Sequence, residues 1–301
     1  MNYFFSLAKR IFSRRNLGFV FYLFFNAVPI YWIVAQVSSP VFFLPVFAAY
    51  FFISIEAGTA FAKLMLNART QMRLEDGGSL IAAFSQAYAA AKEVDSRISD
   101  NVRLYVYNSV NVEAYALGRR VICLSSTAIG LPEGDLTALL LLKFAQFAHY
   151  DSEMLTFMTA GNLWYMILSV IFKGYIYLVG IVFWAVMKSL KYEFEDSVIF
   201  NLLKVLAWYT EKGLHLLMRV FLRLGLSSYG DNIFENDKFV CDCGYRNDLV
   251  HFLRNYESER PGQETLLDLV NSMKPNKQTR LAKLACYRQT PSGGFRIIRR
   301  E

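Results

Sequence analysis

Long apolar runs alternate with mixed segments along this chain of 301 residues. Residues 17–37 and 40–55 contain no charged side chain, and two serines separate them. The first run has about the 20 residues that an α-helix needs to cross the hydrocarbon core of a bilayer. Pro29 and Pro45 lie within the runs, which membrane helices tolerate. The pattern therefore predicts a transmembrane helical hairpin near the N-terminus.

Two later apolar runs are less uniform. Residues 154–187 are interrupted by one charged residue, Lys173, whereas residues 198–226 contain five. The first has the length and composition of a membrane span. The second is amphipathic, so it could span at a tilt, lie at the membrane interface or pack on the protein itself. The pattern leaves open whether either run crosses the bilayer.

The segment between the hairpin and these runs has the pattern of a folded domain. Residues 77–99 are rich in alanine, with apolar positions recurring at helical spacing. Residues 102–108 then alternate as a strand does, and 112–118 and 119–126 continue as two strands joined near Gly118. The chain is thus predicted to have an α+β, mainly helical fold with a small β-sheet.

A further helix is predicted directly after the strands. It runs from Leu136 to Tyr150, follows the turn-forming residues LPEGD, and has Asp135 as its expected N-cap. On periodicity alone it is an ordinary buried helix in which His149 is hydrogen-bonded to a neighbour.

Composition and charge place the chain in a membrane. Hydrophobic residues make up 54% of the chain, and the net charge is +7. Both flanks of the predicted hairpin are basic, which by the positive-inside rule puts both of its ends in the cytoplasm. The expected location is a bacterial-type inner (cytoplasmic) membrane, with a multi-pass topology and most of the soluble domain in the cytoplasm. The flanking basic residues are Lys9, Arg10, Arg14 and Arg15 before the hairpin, and Lys63, Arg69 and Arg73 after it.

Other compositional features exclude several classes. A signal peptide is disfavoured because the first apolar run is too long and no clean small-residue cleavage site follows it. The four cysteines show no metal-binding spacing, and in a reducing cytoplasm disulfides are not expected. Basic residues do not alternate with aromatic residues in the soluble segments, so no nucleic-acid partner is expected.

The run from Val102 to Asp151 resembles a known family. Its segment EAYALG and the following STAIGLPEGDLTALLL are similar to motifs of the HtpX-like membrane zinc metallopeptidases, whose relatives include the CAAX prenyl proteases. In that family the helix after the turn carries an HExxH motif. The resemblance implies a zincin-like metallopeptidase fold behind the N-terminal hairpin.

Two later segments extend the resemblance. IFENDKFVCDCGY, residues 233–245, fits the frame of the family's ExxAD helix, with Asp237 at the aspartate position. MKPNKQTRLAKL, residues 273–284, keeps Pro275, Arg280 and Leu284 of a C-terminal motif but has Lys274 where the family has histidine. No single motif is intact, and Glu113 replaces the asparagine of the segment before the second strand.

The residues that would bind and use zinc are mostly absent. In HExxH the two histidines bind one zinc ion and the glutamate takes a proton from the metal-bound water. Here the matching positions are Ala145, Gln146 and His149, and the third-ligand glutamate falls on Ile233. Neither Ala145 nor Ile233 has a donor atom, and the neutral Gln146 cannot act as a base. A single imidazole does not hold catalytic zinc, which takes three protein ligands.

The resemblance and the missing ligands together imply a membrane-anchored, catalytically inactive metallopeptidase-like protein. No catalytic residue, metal or other cofactor is expected, and zinc would be required only if the protein is an active membrane endopeptidase with non-standard ligands. The expected partners are the lipid bilayer and membrane proteins, unfolded protein clients or an active relative. A transporter is disfavoured because charges within the apolar runs are few.

Four domains and one binding surface complete the prediction. Residues 1–62 form a basic segment and the hairpin, 63–153 the first half of the peptidase-like domain, 154–226 further hydrophobic helices, and 227–301 the second half with a basic tail. A peptide-binding edge strand is expected at Glu113, Ala114, Tyr115 and Ala116, where a client could add a strand.

Overall fold

The structure is a computed structural model that describes residues 2–68, 70–71, 78–189, 198–227, 229–257 and 275–287. Arg69, Arg73, Lys274 and the basic tail, which entered the predictions above, lie outside the described residues. The helices are α1 Asn2–Ile11, α2 Leu17–Val37, α3 Phe43–Met65, α4 Ser79–Val94, α5 Ser126–Ile129, α6 Glu133–Ala148, α7 Asp151–Ala160, α8 Leu163–Ser189, α9 Val198–Gly225, α10 Tyr229–Asp242, α11 Arg246–Asn255 and α12 Lys277–Cys286. The strands are β1 Thr70–Gln71, β2 Arg103–Tyr107, β3 Ala114–Leu117 and β4 Val121–Ser125.

The chain divides into two compact units. Unit 1 comprises residues 1–61, 154–228 and 263–273, and unit 2 comprises residues 62–153, 229–262 and 274–301. Each unit is therefore built from segments that are separated along the sequence. The mainly helical fold with a small sheet is confirmed.

Unit 1 contains the apolar helices. Three stretches of the described residues are long and apolar enough to cross a membrane: Arg14–Val37, Pro40–Met65 and Asp151–Ser189. The first two contain the predicted hairpin, which turns at Ser38 and Ser39. Large apolar side chains along α2, α3 and α8 are exposed, as expected for helices that face lipid.

The apolar run at residues 154–187, whose crossing of the bilayer the sequence left open, is divided between two helices. The chain leaves helical conformation at Gly161 and Asn162, so α7 ends at Ala160 and α8 begins at Leu163. The side chain of Asn162 accepts a hydrogen bond from the backbone N–H of Tyr165 at 3.0 Å. Asn162 thus caps the start of α8, a function for which asparagine is well suited.

Aromatic packing holds unit 1 together. The ring of Phe157 contacts those of Phe19 and Phe51, with ring centroids 6.2 and 4.7 Å apart. The hydroxyl of Tyr22 donates to the carbonyl of Met158 at 3.0 Å. Helix α9 packs on α2 and α8 through one buried stripe that includes Leu214, Met218 and Leu222, while the rest of its surface is mostly exposed.

Unit 2 is built around a small β-sheet and the helix α6, which are both part of it. The strand order is β1-β2-β4-β3, with β2 and β4 parallel and β3 antiparallel to β4. The predicted strands are confirmed, and so is their joint near Gly118. Gly118 has a φ of 54°, which glycine adopts without steric cost. Helices α4, α10 and α11 pack against α6, and β3 lies on it from the sheet side.

The start of α6 differs from the prediction. The helix begins at Glu133 with Pro132 as its N-cap, so Asp135 lies in its first turn and is not the cap. Asp135 is buried, and its carboxylate is hydrogen-bonded to Nδ1 of His251 on α11 at 2.8 Å. Acidic residues in the first helical turn are stabilised by the helix dipole. The predicted cap therefore serves instead to join α6 and α11.

Candidate functional site

The candidate site lies where α6 meets α10 in unit 2. Helix α6 is buried on nearly every side because leucine, alanine and phenylalanine fill most of its positions. On α10, Tyr229, Ile233 and Asn236 follow one another at helical spacing, so they share the face that packs on α6. Ile233, which the resemblance matches to a zinc ligand, thus faces α6.

His149 ends α6 and is held by a hydrogen bond. Its Nδ1 lies 2.7 Å from Oδ1 of Asn236, and Nδ2 of Asn236 donates to Oδ2 of Asp151 at 3.1 Å. A carboxylate can only accept, so Asn236 must turn its amide N–H toward Asp151 and its oxygen toward His149. The proton of this pair consequently resides on Nδ1 of His149.

The ring of His149 is also held from a second side. Phe239 of α10 meets it edge to face, with ring centroids 5.9 Å apart. Metal-binding histidines characteristically donate their other ring N–H to a supporting acceptor. His149 has that support in Asn236, whereas the further ligands that a zinc ion needs are not supplied by Ala145 or Ile233.

A charged pair lies near His149. The guanidinium of Arg97 donates hydrogen bonds to both carboxylate oxygens of Asp95, at 2.9 Å from Nε to Oδ1 and at 2.6 Å from Nη2 to Oδ2. Burial alone would raise the pKa of Asp95, but the bonds from Arg97 and the nearby His149 hold it below its ordinary value. The guanidinium of Arg97 also lies over the ring of Tyr150, the residue after His149, at 5.9 Å.

The other two positions of α6 that the resemblance matches to HExxH, Ala145 and Gln146, have no exposed side chain. Ala145 is fully buried, and the adjoining Phe144 and Phe147 are buried too. Gln146 donates from Nε2 to the hydroxyl of Tyr229 at 3.2 Å. A carboxamide in this contact can hold a hydrogen bond but cannot accept a proton from water as a glutamate would.

Asp237 forms a buried ion pair with Arg280 in unit 2. Arg280 of α12 donates from Nε to Oδ2 of Asp237 at 2.9 Å and from Nη2 to Oδ1 at 2.5 Å, and from Nη1 to Glu257. Burial disfavours the charge on Arg280, but the two carboxylates outweigh it and raise the pKa above its ordinary value. Bidentate pairing of this kind is the strongest form of the arginine–carboxylate contact.

The predicted edge strand is an edge of the sheet. Strand β3 pairs only with β4 in the described sheet, and the backbone N–H of Ser125 donates to the carbonyl of Glu113 at 3.0 Å. In an antiparallel pair, alternate residues bond to the partner strand. The register therefore turns the backbone groups of Ala114 and Ala116 toward the outer edge, although both residues as a whole are buried.

Glu113, the residue before β3, forms a small polar cluster with Tyr107 and Tyr115. Its Oε2 accepts hydrogen bonds from the hydroxyls of Tyr107 and Tyr115, both at 3.2 Å. Burial, followed by the charge of Glu113, raises the pKa of Tyr107 above its ordinary value. Glu113 thus ties β2 to β3 and stabilises the protonated form of Tyr107.

Several residues of the site were not predicted from the sequence. Asn236 bridges His149 and Asp151 across the two helices, and Asp95 with Arg97 comes from the loop after α4. Asp151 is joined to His149 through the amide of Asn236, a link that its proximity in sequence does not indicate. The helical spacing of Asn236 from Ile233 was the one available indication.

Within the described residues, no group of three or more histidine, cysteine, aspartate or glutamate side chains is arranged to hold a metal ion. His215 lies on the exposed side of α9, and His251 belongs to the pair with Asp135. The described donor set does not fit a catalytic zinc ion.

Neither a model of a known protein family nor any curated protein matches the chain.

Proposed function

We propose that the protein is a membrane-anchored, catalytically inactive metallopeptidase-like protein that binds partner proteins without cleaving them. The proposal rests on the side chains that now stand at the former zinc-binding positions, where α6 and α10 meet. Ala145 and Ile233 offer no ligand atom, and His149 is engaged with Asn236. A supported imidazole beside apolar residues favours a site that has kept its frame and lost its metal chemistry.

The pairing of Asp237 with Arg280 supports the family assignment within this proposal. Both residues were matched to family motifs from separate parts of the sequence, and they form one buried ion pair. Two independent motif matches that meet in space are less expected from a chance resemblance. The zincin-like fold itself is part of the proposal.

The membrane arrangement follows from charge. Lys9, Arg14 and Arg15 precede α2, and Lys63 lies in the last turn of α3, so both ends of the hairpin are assigned to the cytoplasm. The proposed location is the inner membrane of a bacterial-type cell, with unit 2 on the cytoplasmic side. Cysteine variants at Ser38 and at Asn101 test this, because an impermeant thiol reagent applied from outside should label only the first.

Partner binding is assigned to the outer edge of β3. A client segment would add a strand by hydrogen bonding to the backbone of Ala114 and Ala116, which are turned outward. Membrane proteins with unfolded segments, or an active relative, are clients of this kind.

Restoring the lost ligands tests the proposed fold. We expect the wild-type protein to purify without stoichiometric zinc and to leave an unfolded protein substrate uncut. The triple variant Ala145→His, Gln146→Glu and Ile233→Glu should bind about one zinc ion, because it completes the ligand set. The same triple variant carrying His149→Ala is the matched control and should bind none. Failure of a folded triple variant to bind zinc would contradict the zincin-like arrangement.

Photocross-linking tests partner binding separately. A benzophenone amino acid at the exposed Asn111, just before β3, should yield protein adducts in native membranes, whereas the same group at the exposed Asn101 should not. Ala116→Pro removes an outward N–H and should abolish the adducts at position 111 if the variant remains folded. Equal adducts at both positions would refute binding at this edge.

The alternative is an active zinc endopeptidase with non-standard ligands. It is favoured only if the wild-type protein contains stoichiometric zinc that is lost in His149→Ala. Metal analysis of the purified protein therefore separates the two functions before any substrate is known.

A further inference from the structure

Helix α1 has a wider apolar surface than the protein covers. Leu7 and Ile11 are buried within unit 1. Phe4 and Phe5 on the helix, and Phe12 directly after it, keep 62%, 74% and 71% of their surface exposed. Three phenylalanines that remain in contact with solvent within nine residues are not expected in a surface that meets only water.

The apolar side chains of α1 form one continuous arc. At about 100° per residue, Leu7, Ile11, Phe4, Phe12 and Phe5 follow one another around the helix in that order. One half of this arc packs on the protein and the other half is exposed. Opposite to it lie the polar and charged side chains of Ser6, Lys9 and Arg10. Such a division is typical of a helix that lies in the plane of a membrane interface.

The position of α1 relative to the predicted spans fits an interfacial depth. The ring of Phe4 meets that of Phe52 on α3 edge to face, with centroids 5.5 Å apart. The neighbouring Phe51 is at the level of Phe19 of α2, because both contact Phe157. Phe19 lies about 9 Å along the axis from Arg14, at about 2.0 Å per residue over the 3-10 turn Arg14–Asn16 and about 1.5 Å per residue in α2. Interfacial helices bury their apolar face to about 5–10 Å.

Cations surround the exposed half of the arc. Lys9 on α1 and both Arg14 and Arg15 in the turn after it are exposed. Between them, the side-chain N–H of Asn16 donates to the carbonyl of Arg10 at 2.8 Å and holds α1 to the turn. The cations are thereby kept at the level where the first predicted span begins.

We propose that α1 is an interfacial helix that binds anionic lipid. Phe4, Phe5 and Phe12 enter the boundary between headgroups and acyl chains, and Lys9, Arg14 and Arg15 contact the negatively charged headgroups. The partner is the lipid surface that continues from the α2–α3 hairpin. The inference does not depend on the former zinc site, so loss of either proposal leaves the other intact.

The depth of α1 can be measured with spin labels on the full-length protein in nanodiscs. The background variant is Cys286→Ser, since Cys286 is the exposed thiol of the described residues. Burial raises the pKa values of Cys123, Cys241 and Cys243 to about 12, which keeps these thiols unreactive at neutral pH. A label on Phe5→Cys should collide mainly with oxygen dissolved in the bilayer, and a label on Ser6→Cys mainly with a water-soluble nickel reagent. Equal exposure of both labels to the nickel reagent would overturn the proposal.

The lipid dependence tests the cations. In nanodiscs with phosphatidylglycerol, the Phe5→Cys label should be protected from the nickel reagent more strongly than in nanodiscs of neutral phosphatidylcholine. Each cation near an anionic surface favours binding by about fivefold, so Lys9→Gln, Arg14→Gln and Arg15→Gln together should remove this difference. Arg254→Gln, which changes an exposed charge of unit 2, is the control and should leave the difference unchanged. Protection that is the same in both lipids would show that headgroup charge plays no part and would overturn the anionic-lipid assignment.

Discussion

At the scale of single residues, Arg280 carries a charge into the interior of unit 2. Its guanidinium is paired with Asp237 and Glu257, and only 2% of its surface is exposed. A buried ion pair contributes less to stability than its geometry suggests, because both partners are removed from water. Removing one partner is far more costly, since the other then remains buried without a counter-charge.

Arg280→Leu should therefore destabilise unit 2 by about 3–5 kcal/mol. The double variant Asp237→Leu with Arg280→Leu should recover much of this loss, because it leaves fewer uncompensated charges at the site. Chemical denaturation in detergent, followed by circular dichroism, measures both. Arg254→Leu on the exposed side of α11 is the matched control and should change stability by less than about 0.5 kcal/mol. Similar losses for Arg280→Leu and Arg254→Leu would refute the importance of the buried pair.

At the scale of elements, close helix packing in unit 1 depends on a glycine. Gly58 of α3 lies against Ala160 and Thr156 of α7 so closely that an added Cβ would overlap the Cβ of Ala160. Small residues at such a contact let two helix backbones approach, which is the usual way in which membrane helices pack. The glycines of α8 have a different setting, because nothing lies within 4 Å of a Cβ built at Gly174.

Gly58→Ala is expected to force α3 and α7 apart and to lower the melting temperature of the detergent-solubilised protein. The cost of such overpacking is about 1–3 kcal/mol. Gly174→Ala, at the open position, should instead leave stability unchanged or raise it slightly, because alanine is the better helix former. Equal melting temperatures for the two variants would contradict the described contact of α3 with α7.

At the scale of the whole molecule, the cysteines report on the integrity of unit 2. All four belong to it, and Cys286 is the exposed one. Burial raises the pKa of each of the other three to about 12, and the thiolate is the form that reacts. Cys123 in the sheet and Cys241 in α10 are buried and become accessible only when unit 2 opens, whereas Cys243 is half-buried and reacts slowly because its pKa is raised.

A maleimide reagent at pH 7.5 should accordingly label one thiol per molecule rapidly and all four after denaturation. Mass spectrometry of the intact protein counts the labels. Cys286→Ser should remove the rapid label and leave the slow ones. Rapid labelling of two or more thiols in the native protein would contradict the described packing.

The sequence predicted the elements that have a strong local pattern. The hairpin, the strands and α6 were found because charge-free length, alternation and leucine spacing are local signals. Helix α1 was treated only as a basic segment, and the break at Gly161 was hidden within one apolar run. The bond of His149 to Asn236 and the pairing of Asp237 with Arg280 join distant parts of the chain. Periodicity carries no information on such contacts.

The discontinuous make-up of unit 2 has a consequence for biosynthesis. Its first segment ends at Glu153 and its second begins at Tyr229, so the 75 residues from 154 to 228 leave the ribosome in between. At 5–20 residues per second this takes about 4–15 s. During that delay α6 has been made but α10 and α11 have not, and its leucine-rich surface lacks two of its covering helices. A nascent chain stalled at this stage should be the species most prone to aggregate or to recruit a chaperone.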